Sequence, residues 1–229
     1  MLINQDTGNA TKTFTAASDG ATYEAQADLG ATKGSLSING VAGGEAETVN
    51  LNSHTGFALG DGAVALNLNN VTLGGSATVA SVTNGDATIG LNNAIVNGAI
   101  AGSTEFAMTT TGTSELNGAV SNANITNTGT LTTTAENIAA SSLTNSDTLN
   151  LSGALAKEIA GSGTTNVNTA LTLNDGASIA GTLNMNGGTV TVSAGSVTSH
   201  NINAISGNGN MAIDLVAGGA ADKLTTTAL

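Results

Sequence analysis

Residues 171–192, LTLNDGASIAGTLNMNGGTVTV, decide the fold. Apolar and polar side chains alternate in Leu171–Leu173, Leu183–Met185 and Val190–Val192. In a β-strand this alternation places the apolar residues on one face and the polar residues on the other. Asn186-Gly187 separates two of these stretches, and Asn and Gly tolerate the positive φ angles of tight turns. The segment therefore predicts short, half-buried strands joined by tight turns.

The same pattern extends over most of the chain. Further alternating stretches occur at Leu36–Ile38, Val64–Leu68, Val71–Leu73, Ile89–Leu91, Leu149–Leu151 and Met211–Leu215. Further turns are predicted at Asp19-Gly20, Asn39-Gly40, Asp61-Gly62, Asn84-Gly85, Asn97-Gly98, Asn117-Gly118 and Asp175-Gly176. Helix is disfavoured because Gly, Thr, Ser and Asn are poor helix formers. The possible helical stretches, Glu136–Ser141 and Ala154–Ala160, are short enough to be turns, so the chain is predicted to be all-β.

The choice between β architectures depends on side-chain size. The 229 residues include 31 Gly, three Phe, one Tyr and no Trp. An antiparallel β-sandwich, the alternative, needs large side chains to fill a gap of about 10 Å between its sheets. A single-stranded parallel β-helix, or β-solenoid, stacks short strands coil on coil around a narrow interior that small aliphatic residues fill. We therefore predict a β-solenoid.

This solenoid is predicted to form one domain, with coils over 1–205 and closing coils over 206–229. At about 20 residues per coil the chain would make roughly eleven coils. Asn and Thr at the strand ends are expected to form ladders from coil to coil, as they do in other stacked β-structures.

Composition and charge exclude several classes of protein. Hydrophobic residues make up 40% of the chain, only 9% of residues are charged and Pro is absent, which argues against disorder. Four Lys against sixteen Asp and Glu give a net charge of −12. Because binding to phosphate backbones and anionic lipids depends on clusters of Lys and Arg, we expect no nucleic-acid partner. The chain contains no signal-peptide pattern at Met1–Asp6 and no apolar run of about 18 residues, so no membrane insertion is expected.

The residue types that catalysis and metal binding use are scattered along the chain. Glu45 and Glu47 are the closest pair of acids and are interpreted as a solvated turn or edge, since isolated charges usually face water. His54 and His200 lie outside any metal-binding motif; both are predicted to be on the surface and many coils apart. The Lys residues are scattered at Lys12, Lys33, Lys157 and Lys223. We predict no catalytic, cofactor-binding or metal-binding residues, no cofactor and no enzymatic activity.

Runs of threonine at Thr109–Thr111 and Thr132–Thr134 raise the possibility of an ice-binding lattice. Consecutive residues of a strand point to opposite faces, however, so such a run does not form a lattice with the period of the coil. The high β-propensity of Thr accounts for these runs instead.

Ser206–Leu215, followed by Ala220–Leu224, resembles the closing coils of bacterial autotransporter passenger domains. In those proteins a Gly-x-Gly turn leads into an alternating strand and then into an Ala-Asp-Lys/Arg-Leu step, and Gly207-Asn208-Gly209 and Ala221-Asp222-Lys223-Leu224 fit that order. The rest of the chain is similar to passengers in composition and in its pattern of short aliphatic strands separated by Gly, Asn and Thr turns. The resemblance implies a right-handed parallel β-helix displayed on a Gram-negative-type cell surface as an adhesin or self-associating protein.

The sequence thus favours an extracellular or cell-surface solenoid with a structural or adhesive role. Its expected partners are a cell-surface or matrix protein, a glycan, or a second copy of itself, held by many weak contacts along polar faces. A subunit of an extracellular filament or sheath is the alternative, because exposed strand edges template pairing. A polysaccharide-active β-helix enzyme is a third possibility, disfavoured because clustered carboxylates are missing.

Overall fold

The computed structural model describes residues 12–16, 20–24, 31–32, 34–41, 46–52, 54, 56–60, 64–193, 199–213 and 223–229. Within these ranges the regular structure consists of strands and contains no helix. The strands are β1 (Lys12–Thr15), β2 (Thr22–Glu24), β3 (Ala31–Thr32), β4 (Ser35–Asn39), β5 (Glu47–Asn50), β6 (Phe57–Leu59), β7 (Ala65–Asn69), β8 (Val71–Gly74), β9 (Thr78–Val82), β10 (Thr88–Asn92), β11 (Ile95–Val96), β12 (Ala99–Thr111), β13 (Thr113–Leu116), β14 (Val120–Asn127), β15 (Thr130–Thr134), β16 (Ser142–Asn145), β17 (Thr148–Leu155), β18 (Glu158–Ile159), β19 (Thr164–Asn166), β20 (Ala170–Leu173), β21 (Ser178–Met185), β22 (Thr189–Val192), β23 (Ser199–Gly207), β24 (Asn210–Ile213) and β25 (Lys223–Ala228).

The strands pair in parallel and stack into about nine coils, so the chain is a β-solenoid. Each coil adds strands to three faces. Face A contains β1, β4, β7, β10, β16, β18, β25, the later parts of β12 and β14, and the beginnings of β21 and β23. Face B contains β2, β5, β8, β11, β13, β15, β19, the first part of β17 and the later parts of β21 and β23. Face C contains β3, β6, β9, β20, β22, β24, the beginnings of β12 and β14 and the end of β17.

Long strands turn a corner between two faces. In β17, Thr148–Ser152 pairs with face B, whereas Gly153–Leu155 pairs with β20 on face C. The corner falls at Gly153, which has a φ of 91°, a conformation that residues with a Cβ rarely adopt. In β21, the register shifts between Ile179 and Thr182, at the corner where this strand passes from face A to face B.

Aliphatic side chains stack inside the solenoid in register. One column on face A is buried throughout and consists of Leu36, Leu66, Ile89, Met108, Ile125 and Leu143. The largest fully buried side chains are Phe57 and Phe106, and the rest of this core is aliphatic. The prediction of a narrow interior filled mainly by small aliphatics is therefore confirmed.

The parallel pairing shows that the alternative of an antiparallel sandwich is wrong. The predicted strands lie where the alternation indicated, apart from Asp214 and Leu215, which are outside the described residues. Glu136–Ser141 forms turns, and Ala154–Ala160 contains strand residues rather than helix. The structure has about nine coils where roughly eleven were expected, and the length of a coil varies along the chain. Stacked partners lie 30 residues apart at Asn39 and Asn69 but 16 apart at Asn150 and Asn166.

The predicted Asn-Gly and Asp-Gly turns do not all depend on a positive φ angle at glycine. Among these turns, positive φ occurs at Gly20, Gly176 and Gly187 but not at Gly98 or Gly118. Instead, a Cβ added to Gly118 would lie 2.2 Å from the carbonyl oxygen of Gly98 in the preceding coil. Gly118 is thus required by the close approach of two coils. Asp61-Gly62 lies outside the described residues.

A buried polar column continues one of the aliphatic columns. Ile38, Leu68 and Leu91 stack in register on face A, and the next inward positions are Thr110, Asn127 and Asn145. These three polar side chains are at most 1% exposed. They bond to one another: Thr110 donates to Asn127 Oδ1 at 2.8 Å, and Asn127 Nδ2 donates to Asn145 Oδ1 at 2.8 Å. The expected Asn and Thr ladders thus occur inside the solenoid as well as on its surface.

Candidate functional surface

The acidic pair considered from the sequence does not form a surface site. Glu47 is 1% exposed, so the prediction that it faces solvent is wrong. Its carboxylate accepts the backbone N–H of Val41, at 3.1 and 3.0 Å for its two oxygens. Gly40 leaves room for it, since a Cβ there would lie 1.9 Å from Oε2 of Glu47. The carboxylate stabilises the turn after β4, whereas Glu45 lies outside the described residues.

The histidines are far apart, as predicted, but only one is near the surface. His54 follows β5 and is partly exposed, whereas His200 lies in β23 and is fully buried. The prediction that His200 is a surface residue is therefore wrong. The alternation of β23 explains its position, because His200 and Ile202 point to the same interior face. That alternation was visible in the sequence and indicates burial.

Lys157 and Glu136 form hydrogen bonds with backbone groups at or near the turn 135–140. Lys157 Nζ donates to the carbonyl of Ile138 at 2.7 Å, and burial lowers the pKa of Lys157. Burial alone would raise the pKa of Glu136, but hydrogen bonds from the N–H groups of Glu136 and Ala154 and from the Thr134 hydroxyl outweigh it and lower that pKa. Lys12 and Lys223 lie in β1 and β25, and Lys33 is outside the described residues. No group of three metal-ligating side chains occurs in the part of the chain that the structure describes.

An ordered polar surface covers face B over four coils. It presents Thr, Ser and Asn at successive outward positions, and we call it the Thr–Asn face. It consists of Thr130, Thr132, Thr134, Thr148, Asn150, Ser152, Thr164, Asn166, Asn168, Thr182, Asn184 and Asn186.

The first column of the Thr–Asn face is made of threonine alone. Thr130, Thr148, Thr164 and Thr182 lie in direct register on consecutive coils. Coils in such a stack are about 4.8 Å apart, so the hydroxyl and methyl groups repeat at that spacing. The hydroxyl of Thr148 donates to Asp147 at 3.2 Å, whereas those of Thr164 and Thr182 have no hydrogen-bond partner among the described residues.

The neighbouring column is an asparagine ladder. Asn184 Nδ2 donates to Asn166 Oδ1 at 2.8 Å, and Asn166 Nδ2 donates to Asn150 Oδ1 at 3.2 Å. Asn150 Nδ2 then donates to Thr132 Oγ1 at 3.1 Å. Each amide has two N–H donors and a carbonyl with two lone pairs, so the ladder leaves hydrogen-bonding capacity that faces solvent. The ladder holds the amides in one orientation.

The Thr–Asn face carries no ionisable side chain, although the chain has a net charge of −12. Three acids lie at its border: Glu136 accepts a hydrogen bond from the Thr134 hydroxyl, Glu115 is one coil earlier in register with Thr132, and Asp147 precedes Thr148. An uncharged array of donors and acceptors in register suits a neutral partner with repeated hydroxyl or amide groups.

This surface was missed from the sequence because its threonines are not adjacent. As predicted, consecutive threonines alternate: Thr133 points inward and is buried, whereas Thr132 and Thr134 are partly exposed. A column of threonines nevertheless exists, built from one residue of each coil. The available signal was the tripeptide Thr-x-Thr or Thr-x-Asn at Thr130, Thr148, Thr164 and Thr182.

A shallow groove of about 670 Å³ lies on face A across β4, β7, β10 and β12. Gly90 lines the groove and has no side chain, whereas its register partners in the two neighbouring coils are Asn67 and Thr109. Asn69 and Thr111 also line it, and no charged side chain does. The side chains that line this groove are therefore uncharged, as are those of the Thr–Asn face.

Within the described residues, no helix is long and apolar enough to cross a membrane. Comparison of the chain with protein-family models, curated proteins and solved structures finds no match.

Proposed function

We propose that this chain is a non-enzymatic adhesive solenoid of the cell surface or extracellular space, which binds through its Thr–Asn face. The observation that carries the proposal is the register of that face, in which side chains of Thr and Asn repeat without interruption by a charge. The resemblance of Ser206–Leu215 and Ala220–Leu224 to the closing coils of autotransporter passengers supports the location.

The physical basis of adhesion is the sum of many weak contacts. A net hydrogen bond contributes only about 0.5–1.5 kcal/mol, so useful affinity requires several bonds made together. The asparagine ladder favours this because amides that are already ordered lose little entropy on binding. Since the face is uncharged, binding through it depends weakly on ionic strength. The expected partners are a neutral glycan, a cell-surface or matrix protein, or a second copy of the chain.

The proposal is tested by measuring binding of the purified chain to glycan arrays, immobilised matrix proteins and itself, at low and high ionic strength. Thr164→Lys places a bulky charge in the centre of the Thr–Asn face, and Ala107→Lys places the same charge at an exposed position of face A. We expect Thr164→Lys to abolish binding and Ala107→Lys to retain it. Equal binding by both variants, or no binding by the unmodified chain, contradicts the proposal.

One observation favours a second function, the binding of ice. The threonine column places hydroxyl and methyl groups at the coil spacing of about 4.8 Å, which is comparable to a repeat of the ice lattice. Ordered water against such groups costs little entropy. A measurement of ice recrystallisation with the unmodified chain, Thr164→Lys and Ala107→Lys separates this function from adhesion: inhibition that only Thr164→Lys loses supports ice binding, and no inhibition excludes it.

A further inference from the structure

Gly90 is a glycine in the middle of a strand at a position where the fold does not require one. It is the central residue of β10, its φ is not positive, and β10 pairs with both neighbouring strands without a bulge. A Cβ added there would meet only the side chain of Asn67, whose Oδ1 would lie 2.7 Å away, and no backbone of another coil. Glycine weakens the interior of a strand and often marks a bulge, a close backbone or an approaching ligand. Only the ligand remains as an explanation for Gly90.

The missing side chain leaves a gap in an outward column of face A. Asn67, Gly90 and Thr109 are register partners on three consecutive coils. The strands of Asn67 and Thr109 are therefore two coil spacings apart, about 10 Å. The groove of about 670 Å³ includes this gap, and its volume falls within the roughly 300–1,000 Å³ of small-molecule sites. The groove thus has the size for a small molecule.

Polar groups in this groove have hydrogen-bonding capacity to spare. The hydroxyl of Thr109 and the side-chain amide of Asn92 form no hydrogen bond with the described residues. The amide of Asn67 is oriented, because its Nδ2 donates to Ser37 Oγ at 3.5 Å while its Oδ1 lies towards Gly90. A ligand in the gap therefore meets an acceptor on one side and a hydroxyl, which both donates and accepts, on the other.

The lining of the groove favours a neutral ligand that is rich in hydroxyl groups. No cationic side chain lines it, and the chain has a net charge of −12, so phosphates and carboxylates are disfavoured. No carboxylate lines it to pair with an ammonium group, and no aromatic ring lines it for a nucleobase to stack on. Sugar hydroxyls match both the hydroxyl and the amide groups that are present.

We propose that the groove at Gly90 binds one unit of a neutral sugar. The ring occupies the gap beside Gly90, and its hydroxyls donate to Asn67 Oδ1 and bond with the hydroxyl of Thr109. A ligand of about 12 non-hydrogen atoms held mainly by hydrogen bonds binds with a Kd of about 1 mM. Binding this weak does not survive the washing of an array. The site is therefore separate from the Thr–Asn face, and the inference does not rest on adhesion.

Titration of the isotope-labelled chain with sugars, followed by two-dimensional amide NMR spectroscopy, tests the proposal. Glucose, galactose and N-acetylglucosamine are added to about 50 mM, well above the expected Kd. Glucuronate at the same concentration and ionic strength is the matched anion. We expect at least one neutral sugar to cause saturable shifts of the amides of Gly90 and Thr109, and glucuronate to bind more weakly.

Three variants locate the site. Gly90→Thr fills the gap with a residue of high strand propensity and displaces only the flexible end of Asn67, so it should fold and bind no sugar. Thr109→Ala removes a hydroxyl from the groove, whereas Thr126→Ala removes one from its exposed register partner outside the groove. We expect Thr109→Ala to weaken binding about threefold to tenfold and Thr126→Ala to leave it unchanged.

The proposal is overturned if no neutral sugar causes saturable shifts, if the shifts map away from face A, or if Gly90→Thr still binds. Equal losses in Thr109→Ala and Thr126→Ala, or glucuronate binding as tight as that of glucose, also overturn it. Thr164→Lys separates this site from the Thr–Asn face. It should keep the shifts at Gly90, so a failure of adhesion leaves the sugar site standing, whereas loss of these shifts in Thr164→Lys shows that the site is not separate.

Discussion

Substitution of Asn127 tests how much the buried amide hydrogen bonds between coils stabilise the solenoid. It is fully buried and accepts a hydrogen bond from Thr110 while donating to the side chain of Asn145, each at 2.8 Å. Its Nδ2 also donates to the carbonyl of Thr148 at 2.8 Å. Asn127→Ala leaves at least two buried polar groups without partners, at about 1–3 kcal/mol each. We expect the free energy of unfolding to fall by about 4 kcal/mol.

The matched control is Asn150→Ala in the outer ladder. Asn150 also bonds to residues of both neighbouring coils, but it is only half-buried. Water replaces its partners there, so we expect a loss of about 0.5–1 kcal/mol. Urea denaturation followed by far-UV circular dichroism measures both variants, and a common m-value validates the comparison.

A third variant separates hydrogen bonding from packing. Asn127→Leu fills the volume with the residue type that occupies the same column at Leu91, yet leaves Thr110 and Asn145 unpaired. If hydrogen bonding dominates, Asn127→Leu loses nearly as much stability as Asn127→Ala. Recovery of stability in Asn127→Leu, or equal losses for Asn127→Ala and Asn150→Ala, would refute the reasoning.

Three further outcomes are expected from denaturation experiments on single variants. A Cβ at Gly187 would meet no atom within 4 Å, but the φ of this residue is 79°, so Gly187→Ala should lower the free energy of unfolding by about 1 kcal/mol. A Cβ at Gly188 would lie 2.3 Å from the carbonyl oxygen of Val167, so Gly188→Ala should lower it by about 2–3 kcal/mol. A larger loss for Gly187→Ala than for Gly188→Ala would contradict this reasoning. Thr165→Val should raise the free energy of unfolding by about 1 kcal/mol, because the buried hydroxyl has no partner; a decrease would show that it has one. The pKa of Glu136 is lowered in the folded chain, so the ionised side chain stabilises the fold above the ordinary carboxyl pKa, and this stabilisation is lost as the pH falls. Between about pH 5 and 3, Glu136→Gln should therefore lose less stability than the unmodified chain. Urea midpoints measured across that range test this.

The fold was predictable because its signals are local. The alternation in Leu149–Leu151 and Val190–Val192 determines which side chains are buried, and the shortage of aromatic residues favours a narrow interior. The same alternation also placed His200 inside, beside Ile202. The prediction that His200 lies on the surface was wrong because it followed from the polar character of histidine and not from the alternation.

The register between coils was not predictable from local pattern. Stacked Asn residues lie 30 residues apart near the N-terminus and 16 apart in the middle of the chain. With no fixed period, the sequence does not reveal which threonines share a column. The Thr–Asn face therefore became visible only when the parallel pairing of β15, β17, β19 and β21 was known.

The sequence by itself determined that this protein is an all-β solenoid of short strands, because alternation and turn chemistry act over a few residues. Only the tertiary structure decided what its asparagines do. Asn127 and Asn150 both make amide hydrogen bonds between coils, but one lies inside the solenoid and the other on its surface. Asn127 occupies an inward position of β14 and Asn150 an outward position of β17, and the stacking of the coils decides which side chains each amide meets. An inward amide exchanges water for buried partners, whereas an outward amide remains available to a ligand.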